Sequence, residues 1–361
     1  MIVLSSLLLI TACNKEEQNP FLAEWDTPFG TPPFDKIKAE HYMPASDAGL
    51  KSQNEEIAAI VNNKEEATFD NTIVALDESG SLLRKVSRVF SGMNGAMSTE
   101  ELQKISKEIS PKITKHSDDI NLNVDLFKKV KSVYDKKELL GLTTEQDRLL
   151  EKYYKKFVRG GINLEEKDKT EFRKLNEEIA LLTLNFGENV LKETNKFELV
   201  IDKEEDLEGL PEASIIGAGE TAKEKGYEGK WVFTIHKPSM LPFLQYSTKR
   251  DLREKIYTAY FMKGNNNDEL DNKEIIAKLV NLRVRRANIL GYKNHAEFVL
   301  AEQMAGTPEK VYDLLNKLWT PALKRSIAEK NDMQQIIYDE GNKFDLEPWD
   351  WWYFAFLSFS A

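Results

Sequence analysis

The stretch LEEKDKTEFRKLNEEIALLTLNFGENVLKE, residues 164–193, decides the fold class. Its apolar residues Phe172, Leu175, Ile179, Leu182, Phe186 and Val190 recur at spacings of three and four. At 3.6 residues per turn that spacing places them on one stripe of a helix. With a rise of about 1.5 Å per residue the helix is roughly 45 Å long, which implies a large, elongated helical body.

Working outward, the segment from Phe34 to about Asn195 keeps a helical period with few breaks. Ser98 with Glu101, and Thr143 with Gln146, have the three-residue spacing of a capping box, and the second of these helices should stop at Gly160-Gly161. Pro111 is expected to open a new helix rather than sit inside one. Downstream, the β-branched and aromatic runs Phe197–Ile201 and Trp231–Ile235 suit a small hairpin or sheet with a long connection. Helical texture then returns to about Gly341. One helix should start at Asp271 or Asn272, run through Ile275, Ile276, Leu279 and Leu282, and stop at Gly291. Another should be capped by Thr307 with Pro308 at its first position, burying Val311, Leu314, Leu315 and Leu318. The expected class is therefore mainly α, with a small β hairpin or sheet around 197–236.

Composition narrows the function. A chain of 361 residues with 41% hydrophobic content can bury a substantial core in one or two domains. Fifty Lys and Arg against 60 Asp and Glu give a net charge of −10, and no basic stripe offsets it, so nucleic acid is excluded as an expected partner. Charges of both signs are interspersed, as on solvated helix faces. The sole cysteine, Cys13, cannot close an intramolecular disulfide.

Cys13 stands instead in a telling context. Residues Ile2–Ile10 are almost wholly apolar, and Thr11-Ala12-Cys13 is followed at once by the polar run Asn14-Lys15-Glu16-Glu17. A helix of about 12 residues spans about 18 Å, short of the roughly 30 Å hydrocarbon layer. The segment resembles the end of a bacterial lipoprotein signal peptide, which makes Cys13 the lipidated first residue of the mature chain, although no Lys or Arg precedes the apolar run. Lys15-Glu16-Glu17 also resembles the acidic export tag of surface lipoproteins in Bacteroidetes-type bacteria. Residues 1–12 are accordingly expected to be a signal peptide and 13–33 a tether and extended leading segment. Residues 34–353 form the helical body, and 354–361 an aberrant tail, because the final nine residues carry no charge.

No short motif supplies catalytic chemistry. The stretch Tyr292–Leu300 places His295 two positions before Glu297, but a zinc helix of the His-Glu-x-x-His type needs two histidines four apart with glutamate beside the first. Here Ala296 and Val299 occupy those places, so His295 reads as an ordinary, partly exposed histidine near a helix start. His41, His116 and His236 form no short ligand pair. Ile216-Gly217-Ala218-Gly219-Glu220-Thr221-Ala222 has Gly-x-Gly-x-x-Ala spacing but lacks the buried strand and helix of a dinucleotide site, and is expected to be a surface turn. The acidic run 202–208 lacks the pattern of a calcium loop. No Gly-x-Ser-x-Gly elbow or phosphate-binding loop appears. The aromatic cluster Trp349, Trp351, Trp352, Tyr353, Phe354, Phe356 and Phe359 is expected to form buried core or a domain seam.

Several segments together carry a family resemblance. They are Pro33-Phe34-Asp35-Lys36-Ile37 with Glu40-His41-Tyr42, Phe69-Asp70-Asn71-Thr72, the Leu175–Asn195 helix, Arg250–Tyr260, Gly291-Tyr292-Lys293-Asn294, Met304-Ala305, and Glu347-Pro348-Trp349-Asp350-Trp351-Trp352-Tyr353. Over about residues 20–353 the chain resembles the oligopeptidase family of thimet oligopeptidase and bacterial peptidyl-dipeptidase Dcp, most of all the Dcp branch. The resemblance implies a mainly helical, neurolysin-like fold cut by a channel that admits short peptides. It also implies zinc chemistry, and in Dcp-like members release of C-terminal dipeptides.

Family members are about twice this length, and their zinc-binding helix and third glutamate ligand fall beyond the point where this chain stops. The resemblance therefore assigns no catalytic residue, no cofactor-binding residue and no metal ligand here, and zinc is expected in the complete family enzyme but not on this chain. The family pattern after Trp352-Tyr353 is a charged helix, whereas this chain continues Phe354-Ala355-Phe356-Leu357. The expectation is the N-terminal part of a zinc metallopeptidase, truncated or frameshifted, inactive alone and monomeric. It would act on oligopeptides in a bacterial envelope and be held to the lipid membrane through Cys13. A non-catalytic peptide-binding or scaffold lipoprotein, and a non-functional remnant, are the competing readings.

Overall fold

The structure, a computed structural model, describes residues 18–360. Cys13 and the expected signal segment 1–12 lie outside the described residues. The α-helices are α1 (Tyr42–Asn62), α2 (Ala75–Glu78), α3 (Ser81–Ala96), α4 (Glu100–Asn121), α5 (Val124–Asp135), α6 (Thr144–Arg159) and α7 (Glu166–Lys196), followed by α8 (Glu212–Glu224), α9 (Lys237–Tyr246), α10 (Arg250–Phe261), α11 (Lys273–Ile289), α12 (His295–Leu300), α13 (Pro308–Asp339) and α14 (Trp351–Ser360). Strands β1 (Leu199–Ile201) and β2 (Trp231–Phe233) pair antiparallel, with Leu199 opposite Phe233. The mainly α class with a small sheet is thus as the sequence predicts. The chain divides into two compact units, Met1–Ala180 and Leu181–Ala361.

The first unit holds two cores. Tyr42, Ala45, Val86, Phe90, Leu102 and Ile109 pack with Phe21, which is 1% exposed although it falls in the segment expected to be a tether. The second core gathers Ile57, Ile73, Leu126, Val130, Leu150 and Phe157. Helices α1 and α3 approach closely because Gly49 faces the Leu83 backbone: a Cβ at Gly49 would lie 2.8 Å from Leu83 Cα. At the start of α6, Thr143 accepts from the Gln146 amide while the Gln146 side chain accepts from that of Thr143, forming the expected capping box.

Two local expectations fail here. Pro111 sits inside α4 rather than opening a helix. Leu102, Ile105, Ile109 and Ile113 pack into the core on both sides of it, and that continuous burial outweighs the roughly 3 kcal/mol cost of an interior proline. The N-cap of α4 is Thr99, whose hydroxyl accepts from the Leu102 amide at 3.2 Å, and not Ser98, whose hydroxyl instead donates to Asn94.

In the second unit Ile201, Phe233, Phe243, Leu244 and Ile256 form one core, and Met333, Ile337, Leu346 and Phe354 another. The Gly-x-Gly-x-x-Ala stretch is not a surface turn: it lies within α8, with Ala218 and Ala222 buried. Gly219 lies beside the Trp231 ring, where a Cβ would make ordinary contact at 3.7 Å. Asn272 precedes α11 and Thr307 caps α13 as expected, Thr307 accepting from the Lys310 amide. The expected buried face of α13 is, however, exposed: Leu314, Leu315 and Leu318 are 59%, 51% and 57% accessible, with Tyr312, Trp319, Leu323 and Ile327 also open. No element among the described residues covers that face. In the segment expected to be an aberrant tail, α14 continues past Trp351, and Phe354 is buried against Phe344.

Candidate functional site

A buried polar constellation in the second unit is built on a local turn. Pro348 opens a short 3₁₀ turn, Pro348–Asp350, where the missing amide of proline costs no hydrogen bond. The Glu347 amide donates to Asp350 Oδ2 at 3.1 Å, and the Glu347 side chain accepts from the Asp350 amide, which fixes the carboxylate of Asp350. That carboxylate, wholly shielded from water, meets two arginines one helical turn apart on α10. Arg250 donates from Nε at 3.0 Å and Nη2 at 2.9 Å to Oδ2, and Arg253 donates from Nη2 at 2.8 Å to Oδ1. Arg253 also donates to the Ser247 carbonyl at 2.7 Å, while its Nε finds no acceptor.

Aromatic rings cover this knot. The Arg250 guanidinium lies 4.3 Å from the Phe344 ring centre, and that of Arg253 lies 4.4 Å from the Tyr353 ring centre. Such stacking suits arginine because its planar cation is weakly hydrated and can use the ring face and in-plane acceptors at once. Burial pushes the Tyr353 hydroxyl pKa up, with the Glu340 and Glu208 charges adding to the rise and Arg253 opposing it.

Beside the knot opens a cleft of about 470 Å³ lined by Tyr257, Lys330, Leu346, Glu347, Pro348, Trp351 and Trp352. Its volume falls in the range of small-ligand sites. Tyr257 on α10 faces Trp352 on α14, with ring centres 6.0 Å apart. The walls offer aromatic surface, one ammonium and one carboxylate, which suits holding an apolar side chain and a charged chain end. They offer no paired nucleophile and base.

The histidines do not converge. His41 Nδ1 accepts from the Lys38 amide, His116 Nε2 lies 2.8 Å from Gln53 Oε1, and His236 Nε2 lies 3.1 Å from Asn195 Oδ1. His295 begins α12 as expected, its Nδ1 buried without a partner, and burial together with Arg286 and Arg283 lowers its pKa. Among the described residues no group of three His, Cys, Asp or Glu side chains is placed to hold a metal ion. These residues do not fit a metal centre, and no catalytic step runs through one held by them. Cys13, the expected lipidation site, lies outside the described residues.

Asp350 and its arginines carry no motif of their own. The available signals were the Glu347-to-Asp350 capping spacing and the two arginines three apart on α10, and neither reveals that the segments meet.

Comparison with known proteins follows this architecture. Residues 243–358, which contain α10, the knot and most of α14, match the model of peptidase family M3. The chain is 36% identical to the dipeptidyl carboxypeptidase of Escherichia coli (strain K12), the similarity covering 93% of this chain and 50% of that protein. It is 30% identical to the organellar oligopeptidase A of Arabidopsis thaliana over 90% of this chain and 41% of that protein. Against the oligopeptidase A of E. coli (strain K12) it is 28% identical over 93% of this chain and 49% of that one. The chain thus spans about half the length of the relatives it matches. Its helical build thus goes with a match to peptidase family M3 over residues 243–358 and with similarity along nine-tenths of its length to proteins named dipeptidyl carboxypeptidase and oligopeptidase A.

Proposed function

We propose that this chain forms part of a zinc metallopeptidase that cleaves short peptides, releasing C-terminal dipeptides, and that it contributes peptide-contacting surface rather than the metal centre. One observation carries the reading: similarity along 93% of the chain to a protein named dipeptidyl carboxypeptidase. The aromatic cleft between Tyr257 and Trp352 supports it, since it offers apolar walls with Lys330 placed for a carboxylate. When bound in a complete enzyme, zinc supplies water activation and carbonyl polarisation. This chain's own residues bind and orient. The absence of a metal donor set among the described residues supports inactivity of this chain by itself.

The reading extends to location. The Thr11-Ala12-Cys13 pattern after an apolar run supports lipidation of Cys13 and tethering in a bacterial envelope. Among the described residues no helix is long and apolar enough to cross a membrane. Labelled palmitate should enter the wild-type chain and be absent from Cys13→Ala.

The peptide reading is tested on the purified chain with a fluorogenic oligopeptide. We expect saturable binding that quenches tryptophan emission, a several-fold weaker affinity for Tyr257→Ala, and no turnover with added zinc. Chelator-sensitive hydrolysis would place the metal centre on this chain after all, and absence of saturable binding would remove the cleft from the reading. A non-catalytic peptide-binding lipoprotein is the second reading, favoured by a cleft that has binding groups and no donor set.

A further inference from the structure

A second cleft lies in the first unit, among α1, α3 and α4, with a volume of about 200 Å³. Its chemistry is unlike that of the cleft beside the arginine knot. Ser46 comes from α1, Ser87 and Ser91 from α3, and Ser106, Ser110 and Thr114 from α4, each set spaced four residues apart. Hydroxyls four residues apart on a helix stand about 6 Å apart along one face. None of these six has a hydrogen-bond partner among the described residues. The floor is apolar, formed by Phe90, Ile109 and Ile113, and no charged side chain lines the space.

Ser46 makes this more than a row of small residues at a helix contact. It is 2% exposed, and its unpartnered side chain lines the cleft. That hydroxyl reaches the cleft and bonds no protein group, so its partner is whatever occupies the cleft, water or a ligand. An ion is disfavoured, because it would be desolvated with no countercharge on the walls. Drug-sized ligands and peptides need about 300–1,000 Å³, more than this space offers. Each hydroxyl is both donor and acceptor and can rotate to suit its partner, the requirement for matching a row of hydroxyls on a ligand whose C–H face rests on Phe90, Ile109 and Ile113.

The geometry points to a binding site for a small neutral polyhydroxy compound, a monosaccharide or short polyol, in this hydroxyl-lined cleft of the first unit. The site is independent of the peptide reading, and either stands if the other falls.

Saturation-transfer NMR on the full chain with D-glucose tests it. The expected result is saturable binding with Kd on the order of 1 mM, equivalent to about 4 kcal/mol. Ser46→Ala should weaken that binding at least tenfold, and acetate should neither bind nor compete. Ser110→Val, at a half-buried position, guards against misfolding of the Ser46 variant and should also weaken binding, with an unchanged circular-dichroism melt. No saturable signal at roughly 100 mM glucose, where a millimolar site is filled, would overturn the proposal and leave a cleft that holds water only. Binding that both variants leave intact would overturn it equally by placing the sugar elsewhere.

Discussion

Arg253 and Asp350, 97 residues apart in sequence, meet at 2.8 Å with 2% and 0% of their side chains exposed. Arg250 shares the same carboxylate, so two cations converge on one buried anion. Removing the anion would leave both cations partly desolvated with no countercharge, and that asymmetry makes the carboxylate the most sensitive atom group of the knot.

Asp350→Ala should therefore destabilise the second unit by about 3–5 kcal/mol. Asp350→Asn should cost less, since the amide oxygen still accepts from one arginine. Five of the six tryptophans, Trp231, Trp319, Trp349, Trp351 and Trp352, lie in that unit, so urea unfolding followed by tryptophan emission reads it directly. A loss under about 1 kcal/mol for the alanine variant, the level of an exposed ion pair, would mean that the knot does not hold α10 to the Pro348–Asp350 turn.

Gly49→Ala tests the close approach of α1 and α3. Alanine gains up to about 1 kcal/mol of helix propensity over glycine, but its Cβ would sit 2.8 Å from the Leu83 Cα and 2.9 Å from its amide nitrogen. Backbone atoms cannot swing aside as a flexible side chain can, so a net loss of about 1–2 kcal/mol is expected. Gly92→Ala on α3 meets nothing within 4 Å and should instead stabilise slightly. Thermal melts showing the two changes with the same sign would contradict the packing.

Burial lowers the pKa of His116, with Asp119 opposing and Lys115 assisting, and His295 is lowered by burial, Arg286 and Arg283. The folded state thus favours neutral imidazole, while the unfolded chain takes up protons near pH 6.5. Stability from these groups is fully present above that value and falls as pH drops through the unfolded pKa towards the folded one. His116→Gln should flatten the first unit's stability curve between about pH 7 and 5.5, above the range where carboxylates titrate. An unchanged slope in hydrogen exchange of α4 amides would show that His116 does not couple to folding.

Trp319→Lys should leave stability within about ±0.5 kcal/mol, because the residue is 65% exposed and little packing is lost. The substitution does break the apolar stripe Tyr312, Leu315, Trp319 and Leu323. Such contiguous patches drive association, so light scattering at high protein concentration should fall relative to wild type. Equal scattering by both proteins would mean that this face does not govern self-association.

Local chemistry was legible in the sequence wherever the forces were local. The helix expected over residues 164–193 forms as Glu166–Lys196, because an apolar stripe sustained over five turns leaves no competing conformation. Thr143 and Thr307 cap their helices through hydroxyls that reach only to amides three residues away. Pro111 defeated the same reasoning: whether a helix survives an interior proline depends on burial of the surrounding stripe, which no local rule contains. The glycine spacing of α8 did likewise, because the helix there rests on burial of Ala218 and Ala222, which the local spacing does not contain.

Periodicity determined which residues of α13 share a face and that the chain is mainly helical, and composition determined that it is acidic. Only the tertiary structure decided that the Leu314 and Leu318 face meets no described element, that Asp350 gathers two arginines from α10, and that six hydroxyls from three helices surround one cleft. The physical reason is range. Helix period, caps and turns are set by atoms within a few residues of one another, whereas burial and ion pairing are set by whatever the folded chain brings alongside.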